Sequence, residues 1–285
     1  MDLTKENIVN ADAPKTAKGH ARMPTFFIPH GAGPCFFMDW SPAHTWNNMA
    51  SFLKGIAATL PEQPRAIILV SAHWLESEFS VTGHARPHLI YDYSGFPRHT
   101  YELTYPAPGE PALAHRLAQL IEAHGMDGRV DAQRGFDHGM FIPLKLMFPG
   151  ADIPVIQLSL RRDFDPGAHL ELGHALAALR DEGVLIVGSG MSFHNMRGYG
   201  DPRFTPVSAE FDEWLINAVE SQPTQRDTLL RDWEQAPHAR LCHPAGAEEH
   251  LIPLLVAAGA GGESAGRKVY SERVMETMIS AFRFG

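Results

Sequence analysis

The chain has 285 residues, 44% of them hydrophobic and 20% charged, with a net charge of −9. This is the composition of an ordinary globular protein, and with no run of Lys or Arg longer than a pair such as Arg161-Arg162 it offers no basic stripe for nucleic acid. Its two cysteines, Cys35 and Cys242, form no CxxC pair and no disulfide framework, and no stretch approaches the roughly 20 apolar residues of a membrane span. A cytoplasmic protein in a reducing compartment is expected, with neither nucleic acid nor membrane as partner.

Met1 to Arg22 is polar and mixed in charge without an apolar core, so residues 1–22 are expected to be a flexible N-terminal extension rather than a signal peptide. Thr25 to Ile28 is a short apolar run that stops at Pro29-His30-Gly31-Ala32-Gly33-Pro34, a strand running into a Gly/Pro loop. The two glycines would let the backbone approach a ligand, but the loop has neither GxxxxGK[ST] nor GxGxxG spacing and is no phosphate cradle. Ser41-Pro42 predicts a helix start, with Ser as cap and Pro in the first turn, running to about Leu53. Ala66 to Trp74, AIILVSAHW, reads as a strand buried on both faces that delivers His73 at its exit.

Glu78 to Thr82 alternates as a strand would, and Arg86 to Pro111 follows without helical period, rich in Tyr, Phe and Pro. A segment of that length inside a compact domain is either a binding lid or a packed surface loop. Pro111 to His124 has the apolar spacing of an amphipathic helix, and Arg129 to Gln133 reads as a short strand. Gly135-Phe136-Asp137-His138-Gly139 leads into the apolar run Met140 to Phe148, with Asp137 placed to cap that helix and His138 in its first turn. Further along come a strand (Ile153 to Leu160), a helix (Ala168 to Asp181) and a buried strand (Val184 to Gly188) that ends in SGMSFHN with His194. Helices are expected over Phe204 to Val219, Arg226 to Trp233 and Gly246 to Leu255, and a closing strand over Met278 to Phe284. Strands alternating with helices predict one α/β domain over residues 23–285, its central sheet largely parallel or mixed and covered by helices on both faces.

Imidazoles recur at the ends of apolar runs: His30, His73, His138, His194 and His250. Neutral imidazole is the commonest metal ligand and suits Zn, Fe, Cu and Ni. Two or three imidazoles with at most one carboxylate, and positions left open, describe a non-haem Fe(II) oxygenase or a catalytic zinc site. No local motif such as HExxH is present, so the site depends on one sheet edge gathering remote residues. His243, His84, His88 and His99 lack that placement and are expected to be structural, pocket-wall or solvent-facing, while Trp74 and Phe193 could be pocket wall or core.

The motifs PHGAGP, SAHW, YSGFPRHTYELTYPAPG, GFDHG, SGMSFHN and EEHLIPLL resemble, in that order, those of the class III extradiol ring-cleavage dioxygenases of the protocatechuate 4,5-dioxygenase type, closest to the 4,5-DOPA dioxygenase branch. The resemblance runs from about Pro24 to the C-terminus and implies that residues 23–285 are an extradiol dioxygenase catalytic domain. It implies a divalent metal held by His30, His73 and His250, with Glu249 or Glu248 competing for the third position because other class III enzymes have glutamate there. His194 matches the family's catalytic base, close enough to approach the metal, and His138 a histidine beside substrate and oxygen. The first loop departs from the branch, which usually has HGSP where this chain has HGAGP. The resemblance further implies one divalent ion, Fe(II) for activity with Zn(II) able to occupy the site, and a small catecholic (DOPA-like) diol and O2 as reactants giving a muconic semialdehyde. A homo-oligomer is compatible with it. The competing readings are a zinc-dependent hydrolase and a non-enzymatic metal-binding interaction protein on the same scaffold.

Overall fold

The computed structural model describes residues 19–285. At its centre is β2 (Ala66–Glu76), whose apolar run alternates between two cores. Ile67 and Leu69 enter one core, and Ala66, Ile68 and Val70 the other. Both faces of the strand are therefore covered, which is why its sequence is continuously apolar rather than alternating. Around it lie β1 (Thr25–Pro29), β3 (Phe79–Thr82), β4 (Gly128–Asp131), β5 (Val155–Arg161), β6 (Val184–Gly190), β7 (Gly266–Val274) and β8 (Thr277–Phe284). They form one eight-stranded mixed sheet in the order β4-β3-β5-β2-β6-β1-β8-β7. The middle strands β5, β2, β6 and β1 are mutually parallel, β3 and β8 run antiparallel to their inner neighbours, and β7 pairs antiparallel with β8.

Eight α-helices are described: α1 (Asn47–Gly55), α2 (Pro111–Ala123), α3 (His138–Met147), α4 (Pro166–Leu176), α5 (Phe204–Glu220), α6 (Pro223–Arg231), α7 (Ala239–Cys242) and α8 (Ile252–Gly261). Side chains of α1, α3 and α5 enter the core on one face and those of α2 the other, while α4 gives Leu170 to the first and Leu172 and Leu176 to the second. Helix α8, buried along its whole length, supplies both. The expected α/β domain, with a mixed sheet between two layers of helices, is what the chain forms.

Several boundaries differ from expectation. The Ser41–Pro42 bond is cis, and the chain turns irregularly until α1 opens at Asn47, so Pro42 does not start the helix. The helix expected over Gly246 to Leu255 begins only at Ile252 and runs on to Gly261, because Pro253 belongs in a first turn, where its missing N–H costs nothing. Strand β7 was not expected. Its GRKVYSERV sequence has charged residues on an outer edge instead of apolar alternation, a pattern that also discourages pairing with other chains. The N-terminal extension expected over residues 1–22 lies outside the described residues except for its last four. Of these, His20 pairs with Glu62 at 3.2 Å and Arg22 with Asp181. Among the described residues no helix is long and apolar enough to cross a membrane.

Candidate metal centre

The parallel strands β1, β2 and β6 end on the same side of the sheet, where loops open and ligands collect. His30 is the residue after β1, and its N–H donates to Gly190 O at the end of β6 (3.2 Å). His73 sits inside β2, where pairing with β5 loses register between Val70 and Leu75. Such an irregularity re-aims a side chain that regular pleating would leave facing a helix layer. His138 opens α3, and its backbone N–H donates to Asp92 Oδ1 (2.9 Å) from the long loop. His194 lies four residues past β6, tied by its N–H to Cys242 O at the end of α7 (3.0 Å). His250 is in the turn before α8, and its carbonyl accepts from Met191 N–H (2.9 Å). Glycine is required under that turn, since a Cβ on Gly190 would lie 2.0 Å from His250 O, and one on Gly188 2.2 Å from Pro253 O.

The five rings meet. His30, His73 and His250 form a triangle with centroid separations of 4.9, 5.0 and 5.1 Å. His138 adds to it at 3.9 Å from His73, and His194 stacks on His250 at 3.4 Å with a 16° interplanar angle. By ligand atoms the cluster divides into two groups, each with nitrogens or carboxylate oxygens within 4.8 Å of one another: His30, His73 and His138, and then His194, Glu249 and His250. All five residues named from the sequence are thus brought together. By ring centroids His138 and His250 are similarly close to the His30–His73 pair, but by ligand atoms it is His138, not His250, that groups with them.

Hydrogen bonds behind the rings settle which nitrogens face inward. The Ser189 hydroxyl donates to Gly139 O (2.5 Å), so it accepts from His30 Nδ1–H (3.1 Å), and His30 Nε2 is left with its lone pair. Asp92 Oδ1 accepts from His138 Nδ1–H (2.9 Å), and Glu249 Oε1 accepts from His250 Nδ1–H (2.9 Å), with the same result. Asp92 Oδ2 is 3.8 Å from His73 Nδ1, and Glu249 Oε1 is 3.5 Å from His194 Nδ1. Carboxylates or hydroxyls behind ligating imidazoles fix tautomer and orientation in metal sites generally. A further layer lies under His73. There the buried Asp137 carboxylate accepts from Ser71 Oγ (2.7 Å), from Arg134 (3.2 Å) and from Gln157 Nε2. Asp137 is the residue preceding α3, but its side chain makes no capping bond and turns inward to that network instead.

Burial favours the neutral form of four of the rings, His30, His73, His194 and His250. Burial, then the neighbouring His73 and His138, holds His30 well below the ordinary imidazole range. Burial and His138 bring His73 down to about 3, and burial with His194 and His73 does the same in direction for His250. Burial lowers His194 to about 4. Neutral imidazole is the ligating form. His30 Nε2 and His73 Nε2 face each other at 3.1 Å. That lies within the span of about 3.0–3.4 Å subtended by two metal–nitrogen bonds of about 2.1 Å at angles between octahedral and tetrahedral. That pair of nitrogens therefore has the spacing of two ligands to one divalent ion, and His138 offers a third donor within 4.8 Å of both.

The imidazoles line one side of a cavity of about 330 Å³. Its other walls include Trp40, Trp46, Phe96, Tyr199, Met191, Met196 and Met275. Of these only Phe96 belongs to the segment Arg86 to Pro111, expected to be either a binding lid or a packed surface loop. That segment otherwise contributes Asp92 behind His138, and Tyr93, which packs edge-on against the His138 ring at 5.7 Å. Trp74 and Phe193 are core residues, each 1% exposed. His243 is fully buried with Nε2 on Ser192 O (2.9 Å), a structural role, while His84, His88 and His99 are exposed. Sequence reasoning missed Asp92, Ser189 and the tryptophan and methionine walls. Their only signal was proximity to His-bearing motifs.

Comparison with known proteins gives a consistent result. Residues 24–283 match the model of the family "catalytic LigB subunit of aromatic ring-opening dioxygenase". The chain is similar to the 4,5-DOPA dioxygenase extradiol of Beta vulgaris, 40% identical over 84% of this chain and 87% of that one. The Escherichia coli K12 4,5-DOPA dioxygenase extradiol is 37% identical over 84% and 85%. The dioxygenase tasH of Hapsidospora irregularis is 38% identical over 92% and 85%. Among solved structures, an uncharacterized Escherichia coli K12 protein, JW3007, superposes with a TM-score of 0.73 at 31% identity, covering 93% of this chain and all of that one.

Proposed function

We propose, for a chain that belongs to the family of the catalytic LigB subunit of aromatic ring-opening dioxygenase, that it cleaves a catechol whose ring is DOPA-like, using Fe(II) and O2 and giving a muconic semialdehyde. The chain is an extradiol-type, metal-using, aromatic ring-opening dioxygenase. The choice of iron and of a 3,4-dihydroxyphenyl ring is our reading, supported by the 4,5-DOPA dioxygenases among its relatives. The observation that carries it is the convergence of imidazoles, with ring nitrogens freed by Ser189, Asp92 and Glu249, on one aromatic-walled cavity.

His30, His73 and His250 would hold the ion. Fe(II), when bound, supplies a common attachment for diol and O2 and a route for electrons between them. His194 lines the cavity and burial favours its neutral form, so it has a lone pair with which to accept a phenolic proton. His138 has Nδ1 committed to Asp92, so Nε2 is the atom at which it holds or delivers a proton. Trp40, Trp46 and Phe96 are aromatic walls against which a flat ring and its substituent would lie.

Anaerobic loading with Fe(II), followed by oxygen uptake and ring-fission absorbance across a catechol panel, tests this reading. Stoichiometric oxygen uptake with a yellow product is expected, and silence from every catechol with iron verified in place overturns it. His194→Ala is expected to retain metal and lose turnover by about 10²–10⁴-fold. Loss of metal instead would make His194 a ligand.

A further inference from the structure

If the site opens catechol rings as proposed above, its walls also say what the ring can carry. Among the described residues that line the cavity there is no Lys, Arg, Asp or Glu. Its hydrogen-bonding side chains are the five imidazoles, the Tyr199 hydroxyl and the two indoles. The imidazoles are taken up by the ion, the diol and proton transfer, and Tyr199 Oη–H already donates to Phe193 O (2.8 Å). What remains to meet a ring substituent is Trp40, Trp46, Phe96, Met191, Met196 and Met275. Of the cations behind the wall, Arg134 is paired with Asp137 (3.2 Å) and Lys145 donates to Thr104 O (2.8 Å). A carboxylate or ammonium moved from water to such a wall loses hydration and gains no counter-ion. Aromatic and thioether surface instead rewards apolar groups, and methionine adapts to their shape.

We infer that the substrate is a catechol bearing an uncharged, predominantly apolar substituent, DOPA-like in its ring and unlike DOPA in its side chain. Among the described residues, the amino-acid headgroup of DOPA finds no charged side chain in the cavity wall, where the one unpartnered buried donor is the neutral Trp46 indole N–H. An alkyl or aryl group of similar length instead lies against Trp40, Phe96, Met191 and Met275, with Met196, 73% exposed, at the rim.

The test uses probes matched in ring and reach: 4-butylcatechol, 3-(3,4-dihydroxyphenyl)propionate and L-DOPA. With the Fe(II)-loaded chain, kcat/KM for 4-butylcatechol is expected to exceed that of both charged probes by at least about tenfold, with the difference seated in KM. Dissociation constants measured with the Zn(II)-loaded chain by quenching of the cavity tryptophans should rank the probes the same way. Arg197, exposed and next in the chain to Met196, is the cation a carboxylate could recruit at the rim. Arg197→Gln should leave the ratio unchanged. Equal or better performance by either charged probe, or a selective loss of the propionate in Arg197→Gln, overturns the inference. Absence of turnover on all three with iron in place overturns the ring-opening reading instead, and the binding ranking still scores the substituent preference by itself.

Discussion

The two ends of α8 both bury polar groups, and they do so in opposite ways. At the C-terminal end the guanidinium of Arg180, 1% exposed, donates to the carbonyls of Met23, Ala260, Gly261 and Phe284. Arg226, fully buried, reaches Gly262 and Ser264 carbonyls and Asp227. Here buried cations complete the carbonyls that a helix end leaves open. At the N-terminal end, beside His250, buried imidazoles have one nitrogen satisfied and the other turned toward its neighbours. A buried polar group built for stability finds all its partners in the protein. One built for chemistry leaves a position that only a ligand completes.

That contrast can be broken by mutation. Removing an inward nitrogen should have the greatest effect: His30→Ala is expected to lower metal affinity by more than about 100-fold and abolish turnover. Its denaturation midpoint in the metal-free state should change little, and metal analysis beside chemical unfolding checks both halves. At the other end, Arg180→Leu strands several carbonyls and should cost about 3–5 kcal/mol of stability, read from urea unfolding. Metal content should be unaffected, and a variant that loses metal while keeping its stability would erase the distinction.

Acid sharpens the comparison using a third buried group. His169 accepts from Arg161 N–H at Nε2 (3.1 Å) and donates to Asp165 O from Nδ1 (2.7 Å), so only the neutral ring satisfies both bonds. Burial lowers it to about 4. Its folded pKa lies below the unfolded value of about 6.5, so the unfolded chain binds the extra proton between them. Stability should be level above pH of about 6.5 and fall as the pH drops toward 4, by up to about 3 kcal/mol from this residue. Denaturant midpoints across that window check the slope, and His169→Gln should flatten part of it. The smallest effect belongs to the support behind the cluster. Asp92→Asn should keep the metal and reduce turnover by about 10-fold, because His138 loses the carboxylate that fixes its tautomer. Metal analysis with steady-state kinetics separates that from loss of a ligand.

Much of this was legible in the chain itself. The continuous apolar runs before His30, His73 and His194 mark buried parallel strands, and their exits face one way because parallel strands must. His138 and His250 were visible as imidazoles beside apolar helical runs. Asp92 and Ser189 were not, since one carboxylate in an aromatic loop and one serine after a strand carry no periodicity; only the tertiary fold brings them behind a ring. The walls escaped for a related reason, because Trp40, Met191 and Met275 look like core residues until a cavity is seen between them. Strand β7 was hidden by its charge, and the start of α8 by a proline read as interior rather than initial.

The bare backbone of Gly188 and Gly190 sets a limit on exchanging parts among relatives. The turn that carries His250 rests directly on those two residues of β6, at a distance no methyl group could share. Turn and strand therefore depend on each other as one packed unit, though about sixty positions separate them in the chain. A chimera that transplants the segment around His250 onto a strand bearing alanine at either site would deliver the imidazole out of reach of its companions, however faithful the transplanted segment.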